Sequence, residues 1–175
     1  KRRPARNRSQ PAGDGRVSGT MTRRTVLIVD DLEANRVLLE RALSVAGYHT
    51  ICAEDGATAL ARLGSESVDI VLLDWMMPGL SGLDTLRAIR QHHTPDSLPV
   101  IMCTAIGEDD NVVEAIESGA NDYVVKPISL TVLRARMATH LNRSGVIAAL
   151  EKERETSVRR LGEQMRRLME DRGAQ

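Results

Sequence analysis

Short apolar runs alternate with longer amphipathic stretches from Thr25 onward. Val26–Val29 (VLIV), His49–Ala53, Ile70–Leu73 (IVLL), Val100–Cys103 and Tyr123–Val125 read as strands. Between them the apolar positions recur at three and four residues: Glu33–Ala46, Ala57–Leu63, Leu83–Gln91, Asn111–Ser118 and Leu130 onward read as helices. Gly47, Gly64 and Gly119 stand where helices should close, and Ser81, behind the Pro78-Gly79 turn, is an N-cap candidate. Five strand–helix pairs in about 120 residues predict an α/β fold, a parallel sheet with helices on both faces. The first and third strands are apolar throughout, as strands covered on both sides should be.

Charge divides the chain. Residues 1–20 carry six Lys/Arg against one acid, residues 21–141 ten against seventeen, and residues 142–175 eight against six. The acidic middle argues against a nucleic-acid-binding core. The Arg-, Pro- and Gly-rich start has too little apolar content to fold, so residues 1–22 are expected to be a disordered basic leader. Such a leader is either an arm for nucleic acid or acidic lipid, or a non-native extension ahead of a start at Met21. No run of about 18 apolar residues exists, so no membrane span is expected. No secretory leader is evident either. Cys52 and Cys103 fall in the second and fourth strands, which suggests no disulfide framework and a reducing, cytoplasmic setting.

In open parallel sheets ligands gather beyond the carboxyl ends of the strands. Asp30, Asp31, Asp74, Thr104 and Lys126 stand there. If the first and third strands are neighbours, their carboxylates lie within several ångströms and repel by roughly 4 kcal/mol per pair at 4 Å in an effective dielectric near 20. A cation that accepts oxygen ligands and keeps open positions, Mg²⁺, would neutralise them. Lys126 adds positive charge and Thr104 a hydroxyl. An aspartate can take a phosphoryl group as an acyl phosphate. Asp74, alone at a central strand end, is the natural acceptor, with Asp30 and Asp31 as the metal pair.

VLIVDD (26–31), LLDWMMPGLSG (72–82), PVIMCTA (99–105) and GANDYVVKP (119–127) resemble, in order, the signature blocks of the bacterial two-component response-regulator receiver domain. The likeness covers about residues 24–141, and the domain is expected over 23–141. It implies a flavodoxin-like, doubly wound five-stranded sheet of order 2-1-3-4-5. It implies that Asp74 is phosphorylated by a sensor histidine kinase or a histidine phosphotransfer protein. It implies Mg²⁺ bound by Asp31, Asp74 and the backbone carbonyl of Met76, with Asp30 acting through water. Lys126 would contact the phosphoryl group, before a cis bond to Pro127. Thr104 and Tyr123 would form a switch pair. Met76 and Ile106 would flank the path of hydrolytic water and, being apolar, slow dephosphorylation. From the residues alone, Trp75 should pack, Met76 and Met77 should fill the loop beneath the site, His92-His93 should be solvated, and Glu108-Asp109-Asp110 should begin a helix.

The last helix does not stop where the resemblance does. Leu130, Leu133, Met137, His140, Ser144, Ile147, Glu151, Arg154, Val158, Leu161, Met165 and Leu168 step by three and four, and eight of these twelve are apolar. Residues 142–175 therefore read as a coiled-coil linker that forms a homodimer, or else as a partly disordered tail. Gly145 is a candidate break. Such a helix suggests an output domain beyond this chain, for example a diguanylate or adenylate cyclase. The alternative is a stand-alone adaptor that acts by direct protein contact.

Overall fold

The computed structural model describes residues 23–105 and 109–173, so the expected leader and Ile106 lie outside the described residues. The elements run β1 Thr25–Val29, α1 Glu33–Val45, β2 His49–Ala53, α2 Gly56–Ser65, β3 Ile70–Asp74, α3 Gly82–Arg90, β4 Val100–Thr104, α4 Asp109–Glu117, β5 Asp122–Val125 and α5 Leu130–Gly173. The strands form one sheet of order β2-β1-β3-β4-β5, every pair parallel.

Successive strand residues point to opposite faces, and the core divides accordingly. Leu27, Val29, Val71, Leu73, Val100 and Met102 pack with Leu83, Leu86 and Ile89 of α3 and Ala59 of α2. Val26, Ile28, Ile70, Leu72, Ile101 and Cys103 pack with Leu39 and Leu43 of α1 and Leu133, Met137 and Leu141 of α5. The β1 and β3 runs are buried along both faces, which is why they are not alternating in sequence.

Three local expectations shift. α2 runs through Gly64 to Ser65, and its start is set by Asp55, whose side chain accepts from the Thr58 amide at 2.7 Å. α4 begins at Asp109, two residues before the apolar run expected from Asn111 but within the acidic run expected to begin a helix. α5 passes Gly145 without a break, and the Arg24 guanidinium lies against that turn, 3.2 Å from where a β-carbon would stand. The candidate break is thus a place of close approach. Ser81 caps α3 as expected, accepting from the Asp84 amide at 3.1 Å. No helix among the described residues is long and apolar enough to cross a membrane. Cys52 and Cys103 are both free thiols, on strands separated by β1 and β3.

Candidate functional site

Parallel pairing brings the ends of β1 and β3 side by side, with Val29 opposite Leu73. Asp30 and Asp31 follow β1, and Asp74 closes β3. One carboxylate oxygen from each of the three lies within 4.8 Å of the others. Asp30 and Asp74 are buried and Asp31 is half-buried. Buried carboxylates at this spacing need compensation. Lys126, just past β5, supplies part of it: its Nζ lies 2.8 Å from Asp30 Oδ2 and 2.8 Å from Asp74 Oδ1. Burial pulls the Lys126 ammonium down, but its bonds to Asp30 and Asp74 outweigh this and hold it above its ordinary value. Burial raises the Asp74 carboxyl; Lys126 opposes this, while Asp30 and Asp31 add to it, and the net shift is upward.

Three carboxylates against one ammonium leave a formal excess of two negative charges at one spot. All the donors are hard oxygens. That donor set fits a small divalent cation such as Mg²⁺, which favours carboxylate oxygen and retains water.

The surrounding loops hold this geometry. Gly82, at the start of α3, donates its amide to the Trp75 carbonyl at 3.0 Å, and a β-carbon at Gly82 would overlap the Asp74 carbonyl. Glycine is therefore required by the close approach of two backbones. Trp75 donates its amide to the Cys103 carbonyl at 2.9 Å and packs on the core, as does Met77. Met76 does not fill the loop: its side chain is 66% exposed, because the turn after Asp74 directs it outward between two inward neighbours.

Thr104 closes β4 and is buried; its hydroxyl lies 3.4 Å from the Ala105 carbonyl, and its own carbonyl accepts from the Lys126 amide at 2.7 Å. That last bond joins the threonine strand to the lysine loop. The Lys126–Pro127 peptide bond is cis. Tyr123 lies on β5, partly buried, with the Arg136 guanidinium 5.7 Å from its ring centroid. The structure thus brings Asp30, Asp31 and Asp74 within 4.8 Å of one another and pairs Lys126 with Asp30 and Asp74. It sets Thr104 on the adjoining strand end and leaves Tyr123 further out along β5.

Two groups were not legible in the sequence. Asn35 donates through Nδ2 to both Asp30 carboxylate oxygens at 3.0 Å, and Arg36 donates to the Asp30 and Asp31 carbonyls at 2.7 and 3.0 Å. They stand on the first turn of α1, five and six residues after Asp30, where that turn folds back over the strand end. The second group is Asp122 with Arg136 and His140. Arg136 pairs with Asp122 Oδ1, and His140 Nε2 lies 3.3 Å from Asp122 Oδ2. His140 therefore faces β5 rather than a helix partner.

Known proteins place this arrangement. The model of the response regulator receiver domain matches residues 26–138. The phosphate regulon transcriptional regulatory protein PhoB of Pseudomonas aeruginosa is 41% identical over 125 residues, covering 71% of this chain and 55% of that protein. Response regulator PleD of Caulobacter vibrioides is 39% identical over 137 residues, covering 78% of this chain and 30% of that protein. The chemotaxis protein CheY of Pseudomonas aeruginosa is 42% identical over 113 residues, covering 64% of this chain and 91% of that protein. Among solved structures, a response regulator receiver domain protein from Clostridium thermocellum superposes with a TM-score of 0.66 at 29% identity, covering 71% of this chain and 98% of that one. NtrX from Brucella abortus gives 0.69 at 31%, covering 76% and 29%. The chain spans about half the length of PhoB and under a third of PleD. By its sheet order, its strand-end acids and these likenesses, the chain belongs to the response regulator receiver domain family.

Proposed function

We propose that this chain is a phosphorylation-dependent switch in which Asp74 accepts a phosphoryl group from a histidine kinase or a histidine phosphotransfer protein. The observation that carries this reading is the buried Asp74 carboxylate held 2.8 Å from Lys126 beside Asp30 and Asp31. Asp30, Asp31, Asp74 and the Met76 carbonyl would hold Mg²⁺. Bound there, the ion supplies positive charge to the phosphoryl oxygens. A carboxylate oxygen of Asp74 forms the new O–P bond as the P–N bond to the donor imidazole breaks, and the bonding pair returns to that nitrogen. Lys126 then exchanges its Asp74 contact for a phosphoryl oxygen, and the Thr104 hydroxyl donates to another. Phosphorylation biases a pre-existing equilibrium in which Thr104 moves inward and Tyr123 turns after it.

The proposed division is a leader over 1–22, the receiver over 23–141 and a dimerising helix over 142–175. α5 carries the switch from the receiver into that helix, and a cytoplasmic output domain beyond it, such as a nucleotide cyclase, would read the dimer. The second reading, a free adaptor, differs only in what the helix meets. The test incubates the chain with a small phosphoramidate and Mg²⁺ and follows its mass. The unmodified chain should gain one phosphoryl group, labile to hydroxylamine, and Asp74→Asn should gain none. A fully labelled Asp74→Asn chain would overturn the assignment.

A further inference from the structure

We propose that α5 between Ile147 and Met165 pairs with a second copy of this chain, parallel and in register, through an eleven-residue repeat instead of a heptad. This names the surface of the dimer proposed above and rests on that reading. After the Arg143–Asp96 ion pair at 3.1 Å, α5 leaves the receiver, and every residue from Ala148 to Arg166 is exposed. Leu150, Val158, Leu161 and Met165 are large apolar side chains exposed by 60, 66, 62 and 56%. A lone helix of this kind needs a partner to cover its stripe.

The spacing of the stripe decides which partner. Ile147, Leu150 and Arg154 are followed eleven residues later by Val158, Leu161 and Met165, so the steps run three, four, four, three, four. A heptad seam through Ile147 would bring Glu151 inward and leave Leu150 beside it. The eleven-residue spacing takes Leu150 instead, and Arg154 is then its single charged member. Eleven residues in three turns is 3.67 per turn, close to the 3.6 of a straight helix, so the stripe does not wind away as a heptad stripe does. A partner helix with ordinary heptads would drift out of contact along it. An identical helix at the same height presents the same steps at the same levels.

Parallel pairing sets one pair of like charges together, and the flanking acids offset it. The two Arg154 side chains then share one layer. On its own chain Glu151 stands one turn earlier, and Glu155 flanks the layer from the second copy. Acids bracket the like pair on both sides. Arg143 and Asp96 hold the exit of α5 from each receiver, so the two receivers lie at the same end of the pair.

The test uses the full chain with Cys52→Ser. Cys103 is retained, since it is buried and burial pushes its thiol up to about 12. Single cysteines are placed by Leu150→Cys, Glu151→Cys, Val158→Cys and Leu161→Cys and oxidised by air with a copper catalyst, while sedimentation reads the oligomeric state of the unmodified chain. Leu150→Cys, Val158→Cys and Leu161→Cys should form linked dimers, with Glu151→Cys at least fivefold poorer. If Glu151→Cys links as well as Leu150→Cys, the repeat is wrong although the chain pairs. A dimer by sedimentation with no linking at any position moves the interface off this helix, and a monomer up to about 100 µM removes the pairing altogether. Each of these overturns the proposal without touching the phosphoacceptor reading, because Asp74 labelling is measured on the same preparations.

Discussion

The first three turns of α5 and its stretch from Ala148 to Arg166 differ in almost every physical respect. In the first, Leu133 and Met137 are fully buried and Leu141 nearly so, packed on Ile28, Ile70 and Ile101 of the sheet. Arg136 and His140 reach across to Asp122 on β5. In the second, every residue is exposed and no hydrogen bond or ion pair leaves the helix among the described residues. Its side-chain bonds there are local, as between Arg159 and Glu163 at 3.2 Å, where the two side chains are 82 and 52% exposed. Exposed pairs of that kind contribute about 0.3–0.5 kcal/mol. One helix therefore draws its stability from two sources. Near the receiver it is fixed by residues distant in sequence; beyond it, only propensity and a second chain are available.

The sharpest way to break that contrast is to remove equal side chains from the two halves. Leu133→Ala leaves a cavity under α5 and should cost about 2–5 kcal/mol in the urea denaturation of the receiver. Leu161→Ala should change the same transition by less than about 0.5 kcal/mol, while weakening association measured by sedimentation. Equal losses in the receiver transition would mean that the distal half folds back on the domain.

The same division explains what was legible in the sequence. The inner strands β1, β3 and β4 were readable from their apolar runs, because strands covered on both faces leave little room for polar residues; the edge strands β2 and β5 were read from shorter, mixed runs. The acids and the lysine were readable because strand ends in a parallel sheet converge by topology. Asn35 and Arg36 were not, since their roles depend on how the first turn of α1 folds over Asp30. Met76 shows the same limit: its position after Asp74 said nothing of its direction, and it points into solvent. In α5 the three-and-four stepping fitted more than one seam. His140 satisfied the heptad count, yet Leu141 is the residue that enters the core. Further along, Leu150 and Glu151 are both exposed, and only the apolar character of Leu150 favours the eleven-residue spacing.

A smaller effect is expected where the receiver half of α5 is held by charge. Burial would raise the Asp122 carboxyl, but the bonds from Arg136, the Tyr123 amide and His140 outweigh it and hold it below the ordinary carboxylate range. A carboxyl depressed in the folded state contributes stability at and above its unfolded pKa near 4. That contribution fades as pH falls through the lower folded value. Asp122→Asn should therefore cost about 1–2 kcal/mol at pH 7 and progressively less below pH 4, measured by denaturation at each pH. Because Arg136 also lies over Tyr123, the variant should loosen the contact between β5 and α5 at neutral pH. A loss that is constant from pH 7 to pH 3 would show that Asp122 acts through packing and not through its charge.

The smallest expected effect tests whether an exposed residue beside a buried site behaves like the distal helix, free of consequence for folding. Met76 is 66% exposed, two residues past Asp74, and unlike Trp75 and Met77 it is not among the residues packed against the core. Met76→Asn should leave the denaturation midpoint within about 0.5 kcal/mol of the unmodified chain. On the proposed phosphoacceptor role of Asp74, its consequence would lie in the lifetime of the acyl phosphate. Water must approach phosphorus opposite the Asp74 oxygen, and an apolar side chain there offers no hydrogen bond to hold it. An asparagine supplies both a donor and an acceptor. Hydrolysis of phosphorylated chain, freed of its donor, should then quicken a few-fold, below the tenfold that corresponds to about 1.4 kcal/mol of barrier. Adding Ile106→Glu should extend the gain. Decay of Met76→Asn at the unmodified rate would mean that the exposed residues around this pocket do not govern the approach of water to it.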